Sequence, residues 1–354
     1  MATYIILFCC IGLMGYSIQQ LTMKKSKNVR GFLLFLIIAL LVLIAGFRGV
    51  GADFGNYTRL YHNLKKQTWE TLWNSVIAFD EPGYKLLCFV ASRIYDDETT
   101  MFFLSSLLSI PPCVILIYKE KVPFYFGSIL YFLLIWTGTF GAVRQYLAAT
   151  MIFCAYPYLR GRNFGKYCLF VIIGAAFHIT ALIMIPVYFL VVRKTTWKNT
   201  LLIIIVSFVL RYSYDFIFSL LGAVKDKEFG EYSYLTSEVN IFRILVAFAP
   251  IILFVFIPKN SRKGIGNGQS SLDLAINIIL INAAFMFATM GSTYLARVGI
   301  YTGIFFPLVI PEITKQFDRE TKSIVEFIMV VCYLAYFFYG IYAQGLGYIF
   351  FFQR

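Results

Sequence analysis

The chain has 354 residues, of which 60% are hydrophobic and 14% are charged, with a formal net charge of +13. Because a soluble domain carries about 25% charged residues, this composition excludes an ordinary soluble protein and predicts a single polytopic membrane domain, residues 1–354. In a membrane protein an excess of Lys and Arg marks the cytoplasmic loops, so the positive charge is no sign of nucleic-acid binding.

The first two apolar runs cover residues 3–23 and 31–47, with the basic stretch KKSKNVR between them. No small-residue cleavage site follows the first run and more apolar runs come after it, so we expect a retained helix and not a signal peptide. The second run leads into the polar stretch FRGVGADFGNYTRLY, residues 47–61. This polar cluster at the mouth of a membrane helix contains Arg48 and Asp53 and is the first candidate for a functional site.

Residues 48–98 are predicted to form an extracytoplasmic segment with interfacial or re-entrant helices. One crossing at residues 99–118 connects residue 48 outside with Lys119 inside, so the apolar stretch GYKLLCFVASRIY is not needed as a span. The stretch KQTWETLWNSVIAF places its apolar side chains on one helical face, which is typical of a helix in the headgroup plane. These side chains are Trp69, Leu72, Trp73, Val76 and Ile77.

Six short loops rich in Lys and Arg begin at residues 24, 119, 160, 193, 258 and 315. The positive-inside rule places all six in the cytoplasm, and the chain must cross the membrane twice between successive loops. This pattern predicts an all-α protein with about twelve transmembrane helices, both termini outside and an extracytoplasmic loop at residues 222–238. The interval between the loops at 160 and 193 is short, so two short helices are expected to meet near His178.

Seven charged or titratable residues, all outside the six basic loops that define the topology, lie at or near the extracytoplasmic ends of the predicted helices. An ionisable side chain at membrane depth costs about 2.5–3.5 kcal/mol on insertion scales and usually faces a functional polar cavity. A guanidinium pairs with two phosphate oxygens, so the arginines predict a lipid-linked phosphate or pyrophosphate. The alternative is that they snorkel to lipid headgroups. The seven residues are Arg48, Arg144, Arg243, Arg297, Asp53, Glu81 and His178.

Three of these residues are candidates for acid–base chemistry. His178 either relays a proton or bonds two helices together. Asp53 is a turn residue, an ion-pair partner of Arg48 or a base for a sugar hydroxyl. Glu81 precedes Pro82, which can begin a helix, so its carboxylate either favours the positive end of that helix or takes part in catalysis.

No cofactor is expected from the sequence. The two histidines and seven cysteines lack the spacing of a zinc site or a disulfide framework, and no Gly-rich phosphate loop is present. A divalent metal held by Asp53 and Glu81 stays an alternative. Because the arginines can supply the same positive charge, we expect a metal-independent reaction.

An ordered set of motifs resembles the EpsG-like, Wzy-type bacterial polysaccharide polymerases, over most of the chain except residues 199–240. The motifs are Arg48 followed by Gly-x-Asp at 51–53 and Tyr57, EPGY at 81, VRQYLAA at 143, FHITALIMIPVY at 177 and LARVGIY at 295.

The resemblance implies a GT-C-related integral-membrane glycosyltransferase of capsule or exopolysaccharide synthesis, located in the bacterial cytoplasmic membrane with its active site facing outside. Such an enzyme transfers a growing glycan from undecaprenyl pyrophosphate to a second lipid-linked repeat unit, and its partners would include a flippase and a chain-length regulator. A lipid-linked oligosaccharide flippase and a membrane O-acyltransferase are the alternatives.

The resemblance also gives the candidate residues roles. The four arginines would bind phosphate, and His178, Asp53 and Glu81 would be catalytic. The sugar-binding candidates are Tyr57, Tyr61 and Tyr84.

Overall fold

The computed structural model describes residues 1–23, 26–213, 238–257, 271–343, 345 and 347–350. Every regular element in these ranges is a helix. Six of the described helices are long and apolar enough to cross a bilayer, or seven if the bent pair Leu295–Gly303 and Phe306–Thr314 forms one span. The chain is therefore a multi-pass helical membrane protein. The count of about twelve crossings stays a prediction. The predicted extracytoplasmic loop at 222–238, except residue 238, and the basic loop at 258–263 lie outside the described residues.

The chain divides into two compact units, Met1–Ile185 with Ser323–Arg354, and Pro186–Lys322. The helices of the first unit are α1 Ala2–Met23, α2 Lys27–Gly46, α3 Phe54–Leu64, α4 Trp69–Ile77, α5 Pro82–Ile94, α6 Glu98–Lys119, α7 Phe124–Tyr131 with a π-helical continuation at Phe132–Trp136, α8 Gly138–Gly141, α9 Val143–Cys154, α10 Tyr156–Arg160 and α11 Phe164–Ala175. A 3₁₀ helix at Ile179–Ile183 and helix α12, Met184–Val191, follow.

Helices α3, α4 and α5 form the segment predicted to lie outside the membrane, and none of them qualifies as a span. Thr68 begins α4 with a capping box, in which the Thr68 side chain accepts a hydrogen bond from the Thr71 N–H and the Thr71 side chain accepts one from the Thr68 N–H. The predicted apolar face is exposed at four positions, Trp69, Trp73, Val76 and Ile77.

The fifth residue, Leu72, lies at the edge of this face and is buried together with Ser75. A short amphipathic helix with apolar residues on both flanks carries no sequence signal that separates its protein side from its exposed side.

The chain reverses at His178, as the short interval between the basic loops predicts. Helix α11 ends at Ala175, and His178 has an extended backbone with φ −158° and ψ 117°. The Tyr167 hydroxyl donates to the Met184 carbonyl at 3.0 Å. In one continuous helix these two residues would be about 25 Å apart, so the two short helical segments fold back on each other.

The second unit is built around α15, Ser271–Thr289, most of whose side chains are buried. Its Asn277 amide donates to the carbonyls of Val191 and Arg193 at 3.0 and 2.7 Å. Its Asn282 amide donates to the carbonyl of Gly299 at 2.9 Å. The remaining elements of this unit are α13 Trp197–Tyr212, α14 Ile241–Phe256, a 3₁₀ helix at Leu295–Gly299, α16 Ile300–Gly303 and α17 Phe306–Thr314; α18, Arg319–Ala343, belongs mainly to the first unit.

Candidate functional site

Three of the predicted site residues meet at one carboxylate in the first unit. Glu81 accepts a hydrogen bond from His178 Nδ1 through Oε1, at 2.5 Å. Its second oxygen, Oε2, accepts from the Arg144 guanidinium. Glu81 precedes α5, Arg144 lies in the first turn of α9 and His178 lies at the chain reversal, so the site joins three segments that are distant in sequence.

The backbone at Glu81 directs its carboxylate away from the helix that follows. Helix α5 begins at Pro82, but the Glu81 side chain makes no capping hydrogen bond, and its φ of +45° lies in the left-handed region. This region is unusual for a residue with a Cβ, and a following proline restricts the backbone further. The turn is secured by the Gly83 N–H, which donates to the Ala176 carbonyl at 2.8 Å. A Cβ on Gly83 would approach that oxygen to 3.1 Å, so glycine permits the close contact.

Glu81 lies outside the candidate membrane spans and is held in its ionised form. Burial by itself would raise the pKa of this carboxyl, but the hydrogen bond from His178 and the positive charge of Arg144 lower the pKa below its ordinary value. An ionised carboxylate that already accepts two hydrogen bonds is a weak base. Its position suits it to orient Arg144 and His178.

The second nitrogen of the His178 ring faces Gln145. His178 Nε2 and Gln145 Nε2 are 3.2 Å apart, and Gln145 follows Arg144 on α9. A glutamine inside a helix carries no signal for such a role in the sequence. It becomes a candidate only because α9 brings it against the imidazole.

The tyrosines predicted to bind sugar rings are packed inside the protein. The Tyr57 hydroxyl accepts a hydrogen bond from the Arg144 N–H at 3.4 Å, and the Arg144 guanidinium lies 5.8 Å from the centre of the Tyr84 ring. Tyr61 is fully buried and donates to Asp96 at 3.3 Å. In this structure Tyr57 and Tyr84 support Arg144, and a contact of these rings with sugar stays a prediction.

Arg48 lies inside the first unit, with a side chain that is 1% exposed. Its guanidinium is held between the rings of Phe102 and Phe140, at 4.5 and 4.8 Å from their centres. It also donates to the carbonyl of Ala45. A narrow crevice beside it is lined mainly by Ser105, Ser106, Ser109, Thr139 and Tyr146.

Asp53 directly precedes α3, and its carbonyl accepts a hydrogen bond from the Tyr57 N–H at 3.0 Å. The catalytic role of Asp53 and the phosphate-binding role of Arg48 stay predictions.

The other two predicted arginines lie in the second unit. Arg243 on α14 donates to the Ala296 carbonyl at 2.9 Å, one residue before Arg297. The guanidinium of Arg297 lies 6.0 Å from the centre of the Tyr294 ring. A third arginine of this unit, Arg211, lies close to Gly291, because a Cβ on Gly291 would lie 2.7 Å from Arg211 Nη1. Arg211 is absent from the sequence-based candidates, and its only signal is a charge at the end of an apolar helix.

Among the described residues, no group of three or more His, Cys, Asp and Glu side chains is arranged to hold a metal ion. The seven cysteines, all within the described ranges, are unpaired thiols.

Comparison with known proteins identifies the family. No curated protein sequence matches the chain significantly. No solved structure does so either. Residues 31–353 match the model of the EpsG family, and this range includes all three residues that meet at Glu81. The chain therefore belongs to the EpsG family of membrane proteins.

Proposed function

We propose that the chain is a polysaccharide polymerase, a glycosyltransferase that works at the outer face of the bacterial cytoplasmic membrane. It transfers a growing glycan from undecaprenyl pyrophosphate to a second lipid-linked oligosaccharide repeat unit. Family membership supports the general activity. The direction of transfer, the lipid carrier and the side of the membrane are the finer parts of this proposal, as are about twelve crossings in a GT-C-like arrangement.

The observation that carries the proposal is the junction of Arg144, Glu81 and His178. Their side chains are 34%, 13% and 12% exposed, so the guanidinium reaches the surface while the carboxylate and the imidazole lie below it. A cation placed outside a buried acid–base pair suits a reaction in which an anionic group leaves and a hydroxyl loses a proton.

In the proposed reaction His178 acts as the general base. The proton of the acceptor sugar hydroxyl moves to His178 Nε2 while the hydroxyl oxygen forms a bond to the anomeric carbon of the donor. The bond between that carbon and the pyrophosphate oxygen breaks, and lipid pyrophosphate leaves with the electron pair. Arg144 stabilises the departing negative charge, and Glu81 stabilises the imidazolium that forms.

The other candidates have supporting roles in this proposal. Arg48, Arg243 and Arg297 bind the phosphates of the lipid-linked substrates. Asp53 is the alternative base, and contact of Tyr57, Tyr61 and Tyr84 with sugar stays a prediction, since all three rings are buried. No metal step is needed, because positively charged side chains supply the electrostatic stabilisation.

Purified protein in vesicles, supplied with a defined undecaprenyl-pyrophosphate-linked repeat, tests the function. We expect a ladder of products that differ by one repeat, with release of undecaprenyl pyrophosphate. Transport of the repeat across the bilayer without elongation would identify a flippase instead, and acyl transfer to the sugar would identify an acyltransferase. Either result would overturn the proposal.

A further inference from the structure

Gln145 is placed to control the protonation of the His178 ring. The Gln145 side chain is 9% exposed, and its Nε2 lies 3.2 Å from His178 Nε2. Its amide oxygen, Oε1, is buried and has no hydrogen-bond partner among the residues that the structure describes. The amide is therefore directed at the imidazole and not at a second protein group.

The contacts of the two ring nitrogens define one form of His178. Nδ1 contacts the ionised carboxylate of Glu81, which only accepts hydrogen bonds, so the ring proton belongs on Nδ1. Nε2 faces the amide nitrogen of Gln145, which only donates, so Nε2 carries a lone pair. Together the two contacts select a neutral imidazole.

The charged groups around the ring act in opposite directions. Glu81 attracts a positive charge on the imidazole, whereas Arg144, bound to the same carboxylate, opposes it. The neighbours in the chain, Phe177 and Ile179, are uncharged. The Gln145 amide stabilises only the form with a bare Nε2 and so adds to the effect of Arg144.

We infer that Gln145 is a positioning residue that keeps His178 neutral, with its proton on Nδ1 and its Nε2 lone pair ready for the acceptor hydroxyl. This inference rests on the proposed function, because a base must be neutral before it takes a proton. The hydroxyl displaces the Gln145 amide from Nε2 and transfers its proton there. A half rotation of the amide then turns Oε1 toward the new Nε2–H, so Gln145 can serve both forms of the ring.

The tautomer of His178 can be measured without any activity. The chain has two histidines, and His62 is 48% exposed and outside the site. A His62→Gln variant labelled with ¹⁵N-histidine therefore gives the signals of His178 alone. At pH 7 we expect a neutral ring with its proton on Nδ1. Adding Gln145→Glu should convert the ring to imidazolium at the same pH, because a carboxylate accepts from Nε2–H. A proton on Nε2 in the parent, or unchanged nitrogen shifts in the Gln145→Glu variant, would overturn the inference.

The pH dependence of turnover separates positioning from simple structural support. Gln145→Met keeps the length of the side chain but removes the amide, so we expect the acidic limb of the profile to move up by about one pH unit, with roughly tenfold lower turnover on that limb. The matched control is Thr150→Val, which removes a buried hydrogen bond from the same helix to the Ser109 carbonyl. An unmoved limb in Gln145→Met, or the same movement in Thr150→Val, would contradict the inference.

The ¹⁵N spectra and the polymerisation assay together distinguish a failure of this inference from a failure of the proposed function. If the ¹⁵N spectra follow the expected pattern but purified protein elongates no glycan, then Gln145 controls His178 and the proposed activity is wrong. If the protein polymerises but the spectra do not respond to Gln145, the activity stands and the positioning role is wrong.

Discussion

Glu81 combines an unfavourable backbone with a well-defined set of contacts. A left-handed conformation at a residue with a side chain costs on the order of 1–3 kcal/mol and persists where the surroundings hold it. Here the contacts with His178 and Arg144 hold the side chain, and the hydrogen bond from Gly83 to Ala176 holds the turn. Strain of this kind at the junction of three segments is typical of a functional site.

We expect Arg144→Lys to insert and fold but to lose about 100-fold in turnover, because an ammonium cannot make the forked contact of a guanidinium with both Glu81 and phosphate. Polymer formation at matched protein levels measures the effect. Arg59→Lys is the control, since Arg59 is exposed and donates hydrogen bonds to Gly55 and Asn56 of its own helix. Equal activity of the two variants would show that Arg144 is a structural cation.

Glu81→Gln tests the charge of the central carboxylate through its pH dependence. The pKa of Glu81 is lowered from 4.5, so the folded protein binds this proton less readily than the unfolded chain. The resulting stabilisation is complete above pH 4.5 and is lost as the pH falls through the lowered pKa of the folded state.

Thermal unfolding of wild-type protein and the Glu81→Gln variant from pH 7 to pH 3 measures this term. We expect wild type to be the more stable protein at pH 7 and the difference to shrink below pH 4.5. A difference that stays constant down to pH 3 would mean that the Glu81 charge does not stabilise the fold.

Broken helices are the feature that shapes the elements of both units. The end of a helix leaves backbone carbonyls without a donor inside the helix, so side chains can satisfy them. On α15, the Asn277 amide donates to the carbonyls of Val191 and Arg193. Five residues later, the Asn282 amide donates to the carbonyl of Gly299. In the first unit the Tyr167 hydroxyl serves the Met184 carbonyl in the same way.

Asn277→Leu should destabilise the second unit by about 1–3 kcal/mol, because the buried carbonyl of Val191 and the part-buried carbonyl of Arg193 lose their donor. A lower midpoint of thermal unfolding in detergent measures the loss. Ile278→Leu, at the neighbouring buried position, is the control for a change of shape alone. A midpoint for Asn277→Leu equal to that of the control would show that these hydrogen bonds contribute nothing.

At the scale of the whole molecule, the sequence predicts what depends on local pattern. The helical membrane class follows from composition, the start of α5 from Pro82 and the chain reversal near His178 from the spacing of two basic loops. Contacts between distant segments leave no such pattern. The enclosure of Arg48 by Phe102 and Phe140 and the pairing of Gln145 with His178 are therefore visible only in the structure.

The predicted topology can be tested with single cysteines in a cysteine-free variant. We expect an impermeant thiol reagent to label positions in 48–80 from outside and to leave the loops at 119, 160, 193 and 315 unlabelled in intact cells, because Lys and Arg favour the cytoplasm. Labelling of residues 193–198 from outside would mean that the reversal at His178 does not return the chain to the cytoplasmic side.

The central claim is that the junction at Glu81 performs glycan transfer, and turnover of His178→Gln compared with donor binding tests it most directly. Glutamine keeps a polar side chain but cannot take the proton of the acceptor hydroxyl. With purified protein and a defined lipid-linked repeat, we predict that turnover falls by roughly 100-fold or more while donor binding is retained. The acidic limb of the pH profile should disappear as well. Wild-type turnover with an unchanged pH profile in His178→Gln would contradict the account.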